Sequence, residues 1–203
     1  GVEYIVYDKL DRPTMTQDAV QDTQNKWLFT KYDKLGRVVY TGEFTDTKSR
    51  TAMQSHVDAT NNTAAELYEN KETSSGSLGI YYSNSDFPTS GLTVLTVNYY
   101  DNYTFNLAGS VAPTSIVYTY NNPSTQATIT SSTQGMATGS RVKVLGTSNW
   151  ITTVSYYDQR ARPVYVYSKN DYHQTTDIVQ RKLDFAGKVL ETNSKHTKAN
   201  DTS

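Results

Sequence analysis

Short stretches in which apolar and polar residues alternate recur along the chain, starting at residues 2–7. A period of two places successive side chains on opposite faces of a pleated strand, so the alternation predicts β-strands. Further strands are predicted at residues 78–83, 92–100, 116–120, 127–130, 141–145 and 150–157. The predicted fold class is mainly β, an antiparallel twisted sheet of β-hairpins with a short helical insertion in the middle.

A short motif occurs four times within this pattern. Tyr-Asp is followed by two or three variable residues, then by Gly or a substitute, and then by Arg or Lys, with Leu replacing Tyr in the weaker fourth copy. The motif residues are Tyr7, Asp8 and Arg12, then Tyr32, Asp33, Gly36 and Arg37, then Tyr157, Asp158 and Arg162, and last Asp184, Gly187 and Lys188. The first two copies lie 25 residues apart and the last two 26. Two repeat blocks therefore flank a middle region without clear repeats.

Each copy of the motif predicts the turn of a β-hairpin. The Asp carboxylate can accept hydrogen bonds from backbone N–H groups further along the turn, and Gly tolerates the positive φ of a turn that ends in a bulge. Asp11 replaces this Gly in the first copy and tolerates positive φ fairly well, whereas Ala161 tolerates it badly, so we expect a different third turn. The Arg or Lys is expected to cover an aromatic ring or to pair with the Asp. For the Asp and the Arg or Lys of each copy, we favour a structural role in the turn over contact with a ligand.

The middle region has a different pattern. Met53, Val57, Ala64 and Leu67 have patchy helical spacing, Ser49 is a candidate N-cap, and two asparagines at 61–62 interrupt the pattern, which predicts one or two short helices. Loops or turns are predicted at residues 74–77, 86–91, 121–123 and 136–139. The predicted divisions are an N-terminal repeat block (1–45), a middle module (46–145), a C-terminal repeat block (146–195) and a frayed tail (196–203).

The motif copies resemble the YD-repeat, or Rhs, family, whose copies carry Tyr-Asp, a few free positions, Gly and Arg. The matching stretches are residues 4–44, 95–101 and 141–192, and residues 144–154 look like part of Rhs-type proteins of Bacteroidetes. Four copies in two evenly spaced pairs are more specific than one short motif. The middle insert departs from the family pattern, and the segment that carries the family's shell-trimming protease has no counterpart in this sequence.

The resemblance implies a non-catalytic structural segment of a large secreted or cell-surface protein. Its β-hairpin strip would form part of a hollow shell that encloses or displays a C-terminal toxin or effector domain. The expected partners are the rest of the parent chain and that enclosed domain. Because residues 2–7 already have the pattern of a strand, we expect a cut from a longer chain and open strand edges that associate between copies.

The composition gives little support for chemistry. A net charge of −1 makes nucleic acid an unsuitable partner, the absence of cysteine excludes thiolate chemistry and cysteine zinc sites, and no apolar run has the length of a membrane span. The three histidines, His56, His173 and His196, are isolated from one another, and no nucleophile elbow or phosphate loop is present. No catalytic residue, metal site or cofactor is predicted, and the chain is not expected to be an enzyme.

The 17 tyrosines leave a second functional class open. An aromatic platform with polar neighbours suits sugars, so the alternative is a carbohydrate- or surface-binding module. The candidate glycan contacts are Tyr81, Tyr82, Tyr99, Tyr100 and Tyr103. Tyrosines that cover a thin core are the favoured interpretation, since alternate tyrosines of a strand share one face of the sheet.

Overall fold

The computed structural model describes residues 1–60, 63, 66–113, 116 and 128–199. These residues form ten strands and two helices, which confirms the predicted mainly β class. The strands lie in one sheet in the order of the sequence, from β1 to β10, so that each strand is hydrogen-bonded to the next. A sheet built in this way needs only a chain reversal between consecutive strands.

The chain divides into two compact units, Gly1–Val97 and Asn98–Ser203. The first unit contains the following elements: β1 (Tyr4–Tyr7), β2 (Pro13–Gln17), α1 (Ala19–Thr23), β3 (Lys26–Tyr32), β4 (Val38–Thr45), α2 (Arg50–Thr60) and the first residues of β5 (Leu92–Asp101). The second unit contains the remainder of β5 and the following strands: β6 (Thr133–Lys143), β7 (Trp150–Tyr157), β8 (Pro163–Asn170), β9 (Thr175–Leu183) and β10 (Val189–Lys198).

These boundaries differ from the predicted division at residues 45, 145 and 195. The sequence places the helix and the strand 92–100 in a separate middle module, whereas α2 contacts the first repeat block directly. The Arg50 Nε donates to the Ile5 carbonyl at 3.0 Å, and the Gln54 side chain bonds both the N–H and the carbonyl of Tyr7. The predicted frayed tail also begins inside β10, which extends to Lys198.

The core of the first unit is built from one face of β3 and β4 and from the buried side of α2. Trp27, Phe29 and Tyr40 are at most 1% exposed, and Met53 and Val57 of α2 are fully buried. The Phe29 ring meets the Tyr40 ring edge to face at 6.1 Å. Aromatic side chains are therefore the largest fully buried side chains of this unit.

The core of the second unit is smaller and rich in tyrosine. Tyr99 stacks on Phe105 at 4.1 Å, and Tyr103 stacks on Tyr156 at 4.8 Å. Burial fades toward the last strand, because β9 is half-buried and β10 is exposed along nearly its whole length.

The helix predicted in the middle region is confirmed as α2. The Ser49 carbonyl accepts from the Met53 N–H at 2.8 Å, and the helix ends at Thr60, directly before the two asparagines. The short helix α1 was not predicted, although Asp18 and Gln21 form a capping box with the Asp-x-x-Gln spacing that marks a helix start.

Two strand predictions and one turn prediction need correction. Residues 78–83 form a turn rather than a strand, and Tyr82 makes a single bridge to Lys71. The alternation there arises because Ile80 and Tyr82 are buried from a loop. Residues 136–139, predicted as a turn, belong to β6 because Gly139 gives the Phe105 ring room rather than reversing the chain. Of the predicted strand 127–130, residues 128–130 are described, and they form only an isolated bridge from Ile129 to Asp158 rather than a strand. The predicted strand 116–120 and the turn 121–123 lie largely outside the described residues.

Gly42 of β4 generates a stability prediction. A Cβ at this position would lie 2.1 Å from the Thr93 carbonyl oxygen and 2.5 Å from Cζ of Phe29. We expect Gly42→Ala to lower the free energy of unfolding by about 1–3 kcal/mol, because overpacking displaces a buried ring and a neighbouring strand. Gly76→Ala is the control, since a Cβ there meets nothing within 4 Å. Urea unfolding of both variants measures the difference, and equal losses would contradict the close approach.

Candidate functional site

Each motif copy closes a hairpin turn with the same backbone bonds. The Asp N–H donates to the carbonyl of the Arg or Lys four residues on, at 2.9 Å for Asp8 and Asp184 and at 3.0 Å for Asp33 and Asp158. The register of the paired strands shifts beside the motif in every copy, as a bulge requires. All four predicted reversals are therefore present.

The residue before Arg or Lys has positive φ in all four turns. Gly36 and Gly187 adopt φ of 76° and 92°, and Asp11 adopts 56°, as expected for residues that tolerate this region. Ala161 adopts φ of 62° and keeps the same backbone bonds, so the expectation of a different third turn is wrong. The bonds around Asp158 hold an alanine in a conformation that alanine by itself disfavours.

The Asp carboxylate organises the turn from inside, and we call this arrangement of Asp, turn and Arg the turn clasp. In the second copy, Asp33 Oδ1 accepts from the N–H groups of Leu35 and Arg37, both at 2.9 Å, and Oδ2 accepts from Nε of Arg37 at 2.6 Å. The copies at Asp8 and Asp158 repeat all three bonds within 0.2 Å. The predicted pairing of Arg with the turn Asp is confirmed in these three copies.

The fourth copy has a weaker clasp. The Lys188 N–H donates to Asp184 Oδ1 at 2.8 Å, but lysine has no Nε–H to lie against the second carboxylate oxygen. The Lys188 side chain is exposed, and Asp184 is only half-buried, whereas the carboxylate-bearing residues Asp8, Asp33 and Asp158 are at most 7% exposed.

Clasps also contact the following motif copy. In the first unit, the Arg12 guanidinium lies 4.5 Å from the centre of the Tyr32 ring, and the Tyr32 hydroxyl donates to the Pro13 carbonyl at 2.7 Å. In the second unit, Nη1 of Arg162 donates to the Asp184 carbonyl at 2.7 Å. The motif Arg therefore connects its own turn to the turn of the next copy in both repeat blocks.

The clasp carries an electrostatic signature. Burial by itself raises the pKa of Asp158, but hydrogen bonds from the Arg162 side chain and from the backbone N–H groups of Arg162 and Arg160 outweigh it. The pKa therefore lies below its ordinary value of 3.8. The motif tyrosines differ in their surroundings. Tyr7 is 40% exposed to solvent. The Tyr157 hydroxyl instead donates a hydrogen bond to the Ala137 carbonyl at 2.6 Å.

The candidate glycan tyrosines do not form an open platform within either unit. Tyr82 in the first unit is 5% exposed and Tyr99 in the second is fully buried, so neither ring is available to stack on a sugar. Tyr103 is half-buried, stacks on Tyr156 and donates to the Ser155 carbonyl at 2.8 Å. Tyr81 and Tyr100 are half-buried. The structure corrects the expectation of glycan contact for Tyr82 and Tyr99, because their rings fill the core.

A buried polar cluster in the first unit was not predicted. The Lys31 side chain, with no solvent exposure, donates to Glu69 Oε1 at 3.0 Å, to Asn84 Oδ1 at 2.6 Å and to the Asp86 carbonyl at 2.7 Å. Glu69 also accepts from the Tyr40 hydroxyl at 3.2 Å. We call Lys31, Glu69, Asn84 and Tyr40 the Lys31 cluster. The sequence held one signal for it, since Lys31 follows Trp27 and Phe29 on the core-facing side of a strand.

An open cleft borders this cluster. Its volume is about 280 Å³, slightly below the usual range for small-molecule sites. The lining residues are Glu72, Ser74, Gly76, Ser77, Leu78, Tyr82, Ser83 and Asn84. Through Asn84 the cleft gives the Lys31 cluster its contact with solvent.

The histidines do not come together in either unit. His56 packs its ring 4.6 Å from the Phe87 ring, and His196 Nδ1 lies 2.6 Å from an oxygen of Asp177 on the exposed pair β9–β10. Over the part of the chain that the structure describes, no group of three His, Asp or Glu residues is placed to hold a metal ion. Neither α1 nor α2 has the length and apolar character needed to cross a membrane.

Comparison with known proteins gave no relative. No family model, no curated protein and no solved structure matches the chain.

The Asp158 clasp predicts a pH-dependent contribution to stability. A carboxyl with a lowered pKa in the folded state stabilises the protein above about pH 4, and this contribution is lost as the pH falls through the folded-state pKa. We expect Asp158→Asn to cost about 1–3 kcal/mol at pH 7, because the charge-assisted bond to Arg162 is lost. The cost should shrink as the pH falls below about 4. Urea unfolding at several pH values measures it, and exposed Asp11→Asn is the control.

A second prediction concerns the guanidinium. Arg162 reaches the Asp158 carboxylate and the Asp184 carbonyl at the same time, which the single ammonium group of lysine cannot do. We expect Arg162→Lys to lower the free energy of unfolding by about 1–2 kcal/mol. The converse change, Lys188→Arg, supplies the missing Nε–H and should cost nothing or stabilise. Thermal unfolding of the two variants measures the change in stability. An equal loss of stability in Lys188→Arg and Arg162→Lys would contradict the role of the clasp.

Proposed function

We propose that this chain is a non-catalytic structural segment of a YD-repeat, or Rhs-type, protein, in which its hairpins form part of a β-sheet shell. The observation that carries the proposal is the turn clasp. It occurs in two evenly spaced pairs, and its Arg contacts the next copy in each pair. An arrangement that joins each hairpin to the next suits a long strip whose task is to form a continuous surface.

The sheet order supports the same function. Each strand pairs with its sequence neighbour, so further hairpins can be added without rearranging those already formed. The exposed β10 provides backbone groups on which a following hairpin would pair. In this proposal the partner is the rest of the parent chain, the enclosed domain is an effector or toxin, and the location is outside the cell or at its surface.

A carbohydrate-binding function has less support. A sugar-binding platform needs aromatic rings whose faces are exposed to solvent side by side. The rings of Tyr82 and Tyr99 are buried and cannot provide such faces. Tyr103 already stacks on Tyr156, so the half-buried Tyr100 and Tyr81 are the remaining candidates.

The complete open reading frame that encodes this chain tests the shell proposal. We expect many further copies of Tyr-Asp followed by Gly-Arg at a spacing of about 25 residues, because a shell needs many hairpins to curve round a cargo. Cryo-electron microscopy of the full gene product should then show the strip continuing in sequence order. A reading frame with no further copies would overturn the proposal.

A glycan array distinguishes the alternative. We expect no saturable binding by the wild-type chain. Saturable binding that is lost in Tyr100→Ala or Tyr81→Ala, but kept in a control such as Tyr172→Ala, would favour the carbohydrate-binding module instead. Tyr172 is a suitable control because it is 55% exposed and lies in the turn between β8 and β9.

A further inference from the structure

The Lys31 cluster brings together an amine, a side-chain amide and a carboxylate, which are the groups that an intramolecular covalent bond would need. The amine of Lys31 lies 2.6 Å from the amide oxygen of Asn84 and 3.0 Å from the Glu69 carboxylate. Lys31 and Glu69 have side chains with no solvent exposure. The Lys31 ammonium has three protons and three acceptors, since it also donates to the Asp86 carbonyl at 2.7 Å, and Asn84 is the one side-chain amide among those acceptors.

We propose that Lys31 and Asn84 form an intramolecular isopeptide bond, with Glu69 relaying the protons. The bond would join Nζ of Lys31 to Cγ of Asn84. It would connect strand β3 to the loop that follows the Lys71–Tyr82 bridge. This proposal does not depend on the family resemblance, because it uses only the contacts of the first unit.

The surroundings favour a nucleophilic amine. Burial lowers the pKa of Lys31, and the nearby Glu69 carboxylate opposes this change. Transfer of one proton from Nζ to Glu69 would leave a neutral amine, which is the form that attacks a carbonyl carbon. Desolvation of this kind is how lysine is made reactive in proteins.

The amide is held in an orientation that suits attack. Asn84 Nδ2 donates to the Thr89 carbonyl at 2.7 Å, so the carbonyl side faces Lys31 and the leaving nitrogen faces Thr89. The Tyr40 hydroxyl lies 3.4 Å from Oδ1, where negative charge develops as the carbon becomes tetrahedral. Its single proton would have to turn there from the Ser83 carbonyl, at 3.0 Å, or from Glu69, at 3.2 Å. Burial raises the pKa of Tyr40 above its ordinary value, so the hydroxyl keeps its proton and remains a donor.

The atoms and protons balance without an oxidant or a co-reactant. The Lys31 ammonium begins with three protons and keeps one in the new amide. Of the other two, one stays on Glu69 and one reaches Nδ2 of Asn84 through the same carboxyl. The Nζ–Cγ bond forms, the Cγ–Nδ2 bond breaks, and one ammonia molecule leaves.

The cleft supplies a path for the ammonia. Asn84 and Ser83 line this opening of about 280 Å³, whereas Lys31 and Glu69 lie behind it. Loss of ammonia to solvent makes the step effectively irreversible, and exclusion of water from Lys31 protects the new amide from hydrolysis.

The cross-link has a structural use in this part of the chain. Between α2 and β5, the described residues form a single isolated bridge and no strand, and scattered backbone hydrogen bonds hold them, such as that from the Glu69 N–H to the Tyr32 carbonyl at 2.8 Å. A covalent bond from β3 to Asn84 would close a long loop and reduce the entropy of the unfolded chain, as a disulfide does. The chain contains no cysteine that could do this instead.

The test is the intact mass of the purified full chain under denaturing conditions. We expect a mass lower than that calculated from the sequence by one ammonia molecule. Trypsin should leave Lys31 uncut and yield residues 27–34 joined to residues 72–141. A wild-type mass equal to the calculated one, with no joined peptide, overturns the proposal, and this measurement needs no variant to fold.

Variants identify the reacting groups. Asn84→Asp should keep the bond but lose one water instead of ammonia, because a carboxyl then supplies the carbon. Lys31→Arg and Glu69→Gln should have their calculated masses, and the Tm of Lys31→Arg should fall by about 10 °C. Lys26→Arg is the matched control, since Lys26 pairs with Glu43 on the same strand pair in a more exposed position, and it should keep the deficit. A deficit that persists in Lys31→Arg would indicate asparagine cyclisation elsewhere and would overturn the proposal.

Discussion

The aspartate carboxylate of each turn clasp is the group on which the rest of this structure depends. It accepts backbone N–H groups from inside the turn and, in three copies, the Nε–H of an arginine. These charge-assisted bonds are stronger than neutral ones, and they fix a bulged reversal in which even Ala161 adopts positive φ. Because the sheet follows the order of the sequence, every reversal decides where the next strand lies. Four reversals of this kind direct β1–β4 and β7–β10.

The arginine gives the clasp a second role. Its guanidinium holds its own turn and also contacts the next motif copy, through the Tyr32 ring in the first unit and the Asp184 carbonyl in the second. Contacts between neighbouring hairpins then contribute to the stability of both, as the contacts between adjacent repeats do in repeat proteins. A scaffold segment needs this property. The proposed shell function rests on it together with the family resemblance.

The region between α2 and β5 follows a different principle. Its described residues form no strand, and its order depends on scattered backbone hydrogen bonds and on side chains that reach into the core, with Glu69, Asn84 and Tyr82 among them. A fully buried ion pair is costly to desolvate and contributes less to stability than its contacts suggest. The proposed isopeptide bond would replace that ion pair by a neutral link, which accounts for the placement of an amide beside the buried amine.

The local features of this fold can be predicted from the amino-acid sequence. The spacing of Tyr, Asp, Gly and Arg predicts all four reversals and the strands beside them, and alternation predicts β1, β5, β7 and the end of β6, because turn chemistry and pleat are set by neighbouring residues. Tertiary structure alone decided the rest. Residues 78–83 alternate like a strand yet form a turn from which Ile80 and Tyr82 are buried. Gly139 makes room for the Phe105 ring rather than forming a turn, and Ala161 adopts positive φ in the clasp of Asp158. The Lys31 cluster joins residues distant in the sequence. Only the packed core decides which of them meet, since burial and desolvation arise from the whole unit rather than from neighbours.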